Sequence, residues 1–109
     1  MAFVRACALS EVAPESAIAV EVGDEDVAIV NSGGEVFAVR DECSHASIPL
    51  SEGDVGDCEI ECYLHGSRFS LRTGAALGLP ATEPVPVYPC RVVDADVEVD
   101  VDNPITNLN

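Results

Sequence analysis

The sequence predicts an all-β fold, and three features of its pattern support that prediction. Short apolar segments alternate with turn residues such as Gly, Pro and Asp, which is typical of strands joined by tight connections. Ser32-Gly33-Gly34 separates two of these segments and indicates a hairpin, because glycine adopts positive φ angles without strain. Between residues 94 and 102, acidic and apolar side chains alternate with the period of a strand that has one buried face.

The segments with the composition expected of strands are residues 3–7, 16–22, 26–31, 35–40, 58–62, 68–71, 90–93 and 97–101. The segment that starts at Glu35 alternates regularly, so we expect it to bury one face. The acidic side chains of the closing hairpin are expected to form a solvated sheet face, with a dedicated docking stripe as the alternative.

Length and charge narrow the functional class. With 109 residues and no internal repeat or linker, the chain is expected to fold as a single domain. It has 20 acidic residues against 5 basic ones, all arginine, for a net charge of -15. This balance argues against nucleic acid and against an anionic membrane surface, because both attract clustered basic side chains. The excess of acidic residues suits a partner with a basic docking face. A role in solubility alone explains it equally well.

The N-terminus and the cysteine content predict a cytoplasmic protein. The first residues lack the basic region and apolar core of a signal peptide. No stretch reaches the roughly 18 apolar residues of a membrane span. The 5 cysteines are odd in number and do not have the spacing of a secreted disulfide framework. In a reducing compartment, cysteines close to histidines indicate metal binding or catalysis.

The only two histidines of the sequence each follow a cysteine closely. Cys43-Ser44-His45 and Cys62-Tyr63-Leu64-His65 give the pattern C-x-H, sixteen residues, C-x-x-H. Two thiolates and two imidazoles suit either a zinc ion or an iron–sulfur centre. Zinc fingers usually place a cysteine pair before a histidine pair, whereas each half here supplies one of each. That set matches a [2Fe-2S] cluster in which two histidines replace two cysteines on one iron.

These motifs resemble the Rieske family, in particular its small ferredoxins that supply electrons to aromatic-ring-hydroxylating oxygenases. The resemblance extends to Gly66-Ser67 after the second motif and to Leu50-Ser51-Glu52-Gly53. Arg72-Thr73-Gly74, a predicted turn, also fits the family. Gly78-Leu79-Pro80-Ala81 resembles the family's third loop, which contains a proline and covers the cluster.

The resemblance implies a fold and a cofactor. The fold is a Rieske-type antiparallel β-sandwich formed by one domain over residues 1–109, with a small cluster-binding subdomain over about residues 42–81. The cofactor is one [2Fe-2S] cluster per chain. Cys43 and Cys62 are implied to hold an inner iron, and His45 and His65 an outer iron near the surface.

The resemblance also implies which residues surround the cluster and which meet a partner. The expected cluster surroundings are Ala46, Leu64, Ser67, Phe69 and Pro80. The expected docking surface consists of the two histidine ring edges with an apolar rim that excludes water: His45, His65, Ala46, Leu64, Leu79 and Pro80. Ordinary loop packing is the alternative interpretation of the rim.

The sequence departs from the high-potential Rieske proteins of respiratory complexes. Those carry an additional cysteine in each ligand loop, joined as a disulfide, and a tyrosine two residues after the serine. Here the matching positions are Ile48, Leu64 and Phe69, while Ser67 is retained. The resemblance therefore implies a reduction potential at the low end of the Rieske range.

Three cysteines match no ligand position. Cys7, Cys58 and Cys90 are predicted to be buried or half-buried thiols without a ligand role. Cys58 precedes Cys62 by four residues, so a continuous strand would place both on one face. A secondary redox role for Cys58 is the minor alternative.

The resulting hypothesis is a monomeric one-electron carrier, not itself an enzyme. It would accept electrons from a flavin-containing ferredoxin reductase and pass them to a terminal Rieske non-haem iron oxygenase. The chain is too short for an oxygenase catalytic domain. Two alternatives remain at this stage: a structural zinc module of the Cys₂His₂ type, and a small Rieske-like subunit of a larger reductase.

Overall fold

The computed structural model describes residues 3–43, 48–63, 66–77 and 83–105. The strands in these ranges are β1 Val4–Ala8, β2 Ser16–Val22, β3 Glu25–Ser32, β4 Glu35–Arg40, β5 Asp54–Gly56, β6 Glu59–Glu61, β7 Arg68–Ser70, β8 Val87–Tyr88, β9 Cys90–Val93 and β10 Asp96–Val99. Two 3₁₀ turns, Leu9–Glu11 and Leu50–Glu52, are the helical elements of the described residues. Neither these turns nor any other described segment forms a helix suited to crossing a bilayer.

The strands form three antiparallel sheets, which confirms the all-β prediction. The first sheet has the order β1-β10-β9, the second β2-β3-β4-β8 and the third β5-β6-β7. The β3–β4 hairpin turns at Gly33 and Gly34, with φ angles of 62° and 84°. Two consecutive positive φ angles give a turn whose twist matches that of the strands, so the glycines act as predicted.

The second sheet is covered on both faces. The base core packs the first sheet against one face and includes Val27, Ile29, Ala38, Tyr88, Val97 and Val99. The site core packs the third sheet against the other face and includes Ala28, Val30, Phe37, Val39, Ile60 and Phe69. The prediction that residues 35–40 bury one face is therefore wrong, because neighbouring side chains of β4 enter different cores.

The third sheet is built from three-residue strands, and part of it was not predicted. β5 was missed, and so was β8 of the second sheet, which lies in a proline-rich segment. The predicted strand over residues 58–62 is shorter than expected. Cys58 has a φ of 59° and lies in the turn before β6, so it does not share a strand face with Cys62.

The acidic stripe of the closing hairpin is interrupted at its end. Val97 and Val99 are buried, as the alternation predicts. Asp100, however, is completely buried and lies beyond the end of β10. Its carboxylate accepts hydrogen bonds from the Asp102 N–H and the Asn103 side-chain amide, each at 3.0 Å. The prediction that Asp100 belongs to a solvated face is wrong, because these bonds replace water.

Candidate metal centre

Cys43 lies three residues beyond the end of β4, at the base of the first predicted ligand loop. Its side chain is buried, with 2% exposure. The Cys43 N–H donates to the Ile48 carbonyl oxygen at 2.9 Å. This bond joins the two described ends of the loop and fixes the backbone that carries the thiol.

Cys62 directly follows β6 and is fully buried. Its N–H donates to the Ser67 carbonyl oxygen at 2.7 Å, and the Gly66 N–H donates to the Cys62 carbonyl oxygen at 3.0 Å. Gly66 has a φ of 75°, a conformation that glycine adopts readily. The second predicted loop therefore also begins at a cysteine whose backbone is hydrogen-bonded across the loop.

The two thiols enter one apolar cluster. Cys43 and Cys62 both belong to the site core, together with Leu50, Ile60 and Phe69. Thiolates are the usual protein ligands of iron–sulfur clusters, and apolar surroundings keep such a centre away from water. Two buried thiols from separate loops in a shared core therefore fit the donor set of such a cluster.

The remaining predicted ligands and rim positions fall outside the described residues. They are His45, His65, Ala46, Leu64, Leu79 and Pro80. Within the described ranges, no three His, Cys, Asp or Glu side chains converge as a metal site. The described residues thus include the cysteine half of the predicted centre, and the histidine assignments stay predictions.

Ser67 and Phe69 lie where the second loop returns into the third sheet. Both are fully buried. Phe69 occupies the middle of β7, opposite Ile60 of β6. The aromatic ring therefore belongs to the site core near the Cys62 loop, at the position where high-potential relatives are expected to carry a tyrosine.

Two sequence comparisons decide the family. The sequence profile described as the Rieske [2Fe-2S] domain matches residues 2–89. The ferredoxin component of biphenyl 2,3-dioxygenase from Rhodococcus jostii is 40% identical over 106 residues, which is 97% of this chain and 99% of that protein. The chain belongs to the Rieske [2Fe-2S] family.

A solved Rieske ferredoxin has the same fold over most of its length. The ferredoxin of carbazole 1,9a-dioxygenase from Nocardioides aromaticivorans IC177 has a TM-score of 0.85 and 36% identity, covering 91% of this chain and 97% of that one. A further match comes from a complex of reduced oxygenase and oxidized ferredoxin in carbazole 1,9a-dioxygenase. Its TM-score is 0.82 at 33% identity, covering 89% of this chain and 91% of that one.

These relatives define the class of the protein. It is a Rieske ferredoxin of the kind found in aromatic dioxygenase systems, and it carries a single [2Fe-2S] cluster. It is an electron-transfer component and not itself an enzyme. The comparisons support this interpretation over the zinc-binding module and over the subunit of a larger reductase.

The other cysteines of this Rieske ferredoxin differ in their distance from the ligand loops. Cys7 is buried in the base core, where burial raises the pKa of its thiol. Burial, with a smaller contribution from Cys7, raises the pKa of Cys90 to about 12. Cys58 is half-buried against the site core. A raised pKa keeps a thiol protonated and unreactive, which agrees with the predicted structural roles of Cys7 and Cys90.

The arginine side chains of the ferredoxin are all engaged by carboxylates. The five ion pairs are Arg5–Asp96, Arg40–Glu25, Arg68–Glu59, Arg72–Glu35 and Arg91–Glu98. All five arginines lie in the described ranges, and the sequence contains no lysine. Since each arginine is matched by an acid, the net charge of -15 resides on the other carboxylates.

One contact across the base of the first ligand loop was not predicted. The Asp41 carboxylate accepts hydrogen bonds from the Ser51 N–H at 2.7 Å and from the Ser51 hydroxyl at 2.9 Å. Two residues later, Gly53 lies against the Glu61 carbonyl, next to Cys62. The sequence identified residues 50–53 only as a family-like segment. Nothing local pairs Asp41 with a serine ten positions away.

Proposed function

We propose that Cys43, His45, Cys62 and His65 hold the [2Fe-2S] cluster of this Rieske ferredoxin. The observation that supports this most directly is the burial of Cys43 and Cys62 in one apolar core. Each of these cysteines also begins a loop that contains one of the two histidines in the sequence. The loops and the third sheet, over about residues 42–81, then act as the cluster-binding subdomain.

In this proposal the chain shapes the site in two ways. When bound, a [2Fe-2S] cluster takes up and releases one electron. The site core, with Leu50, Ile60 and Phe69, excludes water from the cysteine side. The backbone bonds of Cys43 to Ile48 and of Cys62 to Ser67 hold the thiols in place. Because a rigid site reorganises little, it favours rapid electron transfer.

We propose further that the electron comes from a flavin-containing reductase and goes to a terminal oxygenase that hydroxylates an aromatic compound. Support comes from the relatives, which are named for biphenyl and carbazole dioxygenases. The complex of oxygenase and ferredoxin supports direct contact with the oxygenase. The proposed docking surface is the one predicted from the sequence, around His45 and His65.

The charge supports a monomer that meets basic partners. At a net charge of -15, two copies repel each other, whereas a basic face attracts them. None of the 5 cysteines, all within the described ranges, is paired in a disulfide, as suits a reducing compartment. We therefore propose a cytoplasmic monomer.

The ligand assignment is tested by replacing each proposed ligand in turn with alanine. Each of the four replacements should abolish the rhombic electron paramagnetic resonance signal of the reduced cluster. Cys58→Ser is the matched control, since it also removes a thiol next to the site core and should leave the signal intact. An unchanged signal in His65→Ala or Cys62→Ala would contradict the assignment.

A further inference from the structure

The two cysteine loops meet through a short series of contacts that starts at Asp41. This residue lies two positions before Cys43, and both of its carboxylate oxygens accept hydrogen bonds from Ser51. Its own N–H donates to the Asp26 carbonyl oxygen at 3.0 Å, so its backbone is held by the second sheet. The strand end that leads into the Cys43 loop is thereby bonded to the 3₁₀ turn that follows the loop.

That 3₁₀ turn is anchored in the site core. Leu50, its first residue, is fully buried in the site core, to which both cysteines also belong. The Gly53 N–H closes the turn by donating to the Leu50 carbonyl oxygen at 2.9 Å. Asp41 therefore positions this 3₁₀ turn. Apolar packing of Leu50 fixes one end of the turn, and Gly53, the residue before β5, fixes the other.

Gly53 brings this element onto the backbone of the second cysteine loop. A methyl group on the Gly53 Cα would collide with the Glu61 carbonyl oxygen, and Glu61 directly precedes Cys62. The φ and ψ of Gly53 are -89° and -176°, which any residue adopts. The position therefore requires glycine because of the space available and not because of its backbone conformation.

We propose that Asp41, Ser51 and Gly53 form a non-covalent brace that fixes the spacing between the Cys43 and Cys62 loops. This rests on the proposed function in one respect, the assignment of both cysteines as ligands. No disulfide joins any of the 5 cysteines, so contacts of this kind join the loops within the polypeptide itself. The three are positioning residues: they act on the ligands through the backbone.

Two substitutions of Asp41 remove the same charge but differ in the hydrogen bonds that they leave. Asp41→Ala removes both hydrogen bonds. Asp41→Asn removes the same charge but can accept from the Ser51 N–H and donate to the Ser51 hydroxyl. Loss of a partner that orients a metal ligand typically weakens metal binding by about 10- to 100-fold. We expect an iron chelator to strip the cluster about tenfold faster from Asp41→Ala than from Asp41→Asn, which should behave like the wild type.

Gly53 can be tested by adding the same methyl group at two different glycines. Gly53→Ala should broaden or shift the electron paramagnetic resonance signal of the reduced cluster, because the Glu61–Cys62 backbone must move. Gly56→Ala is the control: it lies in β5, three residues further along the chain, and a Cβ there would meet nothing within 4 Å. If Gly53→Ala does not fold, the two Asp41 variants decide the question. Equal signals in Gly53→Ala and Gly56→Ala would overturn the role of Gly53.

Amide hydrogen exchange separates the brace from the ligand assignment. It is measured by mass spectrometry on the proteins as purified, over the peptide that contains β6 and Cys62. Exchange should be faster in Asp41→Ala than in Asp41→Asn, whichever residues hold the cluster. Equal exchange and equal cluster lifetimes in these two variants would overturn the brace and leave the proposed function intact. An unchanged cluster signal in Cys62→Ala would contradict the ligand assignment alone.

Discussion

The base of the molecule and its third sheet are stabilised in different ways. In the base, β2 and β3 are seven and eight residues long and pair over the whole length of β2. In the third sheet each strand has three residues. The position of this sheet depends on loop closures and on single close contacts such as that of Gly53. Stability is thus distributed over many residues in the base and concentrated in a few near the cysteines.

The largest expected effect comes from paired core truncations in the two regions. Ile29 belongs to the base core and Ile60 to the site core, and both are fully buried. Each replacement by alanine should lower the free energy of unfolding by about 2–5 kcal/mol, measured by chemical denaturation. Ile60→Ala should also lose the cluster well below its unfolding temperature, whereas Ile29→Ala should keep it until the protein unfolds. Cluster loss at the same relative temperature in both would contradict the comparison.

The second effect concerns charge. On the first sheet, Arg5 and Arg91 pair with Asp96 and Glu98, so the charges on the strands themselves cancel. The third sheet has exposed acids at Asp54 and Asp57. Because long-range attraction raises association rates by about 10-fold or more, electron transfer to a basic oxygenase at subsaturating protein should slow about tenfold as salt rises and screening sets in.

A pair of double variants locates this effect. Changing Asp54 and Asp57 to Asn should reduce the salt dependence of electron transfer. Changing Asp94 and Asp102 to Asn removes the same charge from exposed positions of the closing hairpin and should reduce it less. Stopped-flow measurement of ferredoxin oxidation gives both rates. Equal reductions would show that only the total charge matters.

The third effect is a shift in reduction potential. Without a tyrosine hydroxyl at position 69, the potential should lie at the low end of the Rieske range of about -150 to +300 mV. Phe69→Tyr should raise it, since a hydrogen bond to a cluster sulfur stabilises the reduced state. A net bond of about 0.5–1.5 kcal/mol corresponds to roughly 20–65 mV for one electron.

Protein-film voltammetry measures this shift against a matched control. Phe37→Tyr adds the same hydroxyl to the same site core, but from the second sheet, and should leave the potential unchanged. A wild-type potential well above zero, or equal shifts in both variants, would contradict the role given to Phe69.

The smallest effect is expected at the surface of the base. Arg5 and Asp96 form a 3.0 Å ion pair in which both side chains are substantially exposed. Such pairs contribute less than about 1 kcal/mol, so Arg5→Ala should barely change the unfolding midpoint. Arg72→Ala should cost more, because Arg72 bonds Glu35 and also lies 5.4 Å from the centre of the Phe37 ring. A larger loss in Arg5→Ala would reverse this order.

The same contrast explains which parts of the fold could be predicted. β2, β4 and β9 have the predicted bounds, and β3 extends the prediction by one residue at each end, because alternation and glycine turns are local signals. β8 was missed because two residues between prolines form a strand only through pairing with Ala38 and Val39 of β4. The two-sided burial of β4 likewise depends on which sheets cover it, and this information is not local.

The functional site likewise has parts that local sequence signals predict and parts that they do not. The spacing of Cys and His predicted the family and the cofactor, because ligand chemistry restricts residue type. The burial of Cys43 and Cys62 agrees with their assignment, which remains a prediction together with the histidines. Neither the Asp41–Ser51 bonds nor the close approach of Gly53 could be predicted, since each joins segments that meet only in the folded chain. The solvated position predicted for Asp100 is wrong for a similar reason. Its hydrogen-bond partners, Asp102 and Asn103, lie beyond the strand that the alternation suggested.

The pairing of β1 with β10 has a consequence for synthesis of the chain. Arg5 and Asp96 are separated by 91 residues, so the first sheet cannot close until β10 has left the ribosome. β2, β3 and β4 follow one another through tight turns and can pair much earlier, since local contacts form faster than distant ones. A nascent chain therefore passes through a stage in which Val27 and Ile29 face water. At that stage the repulsion between negatively charged chains keeps them apart, and it protects the incomplete protein from aggregation.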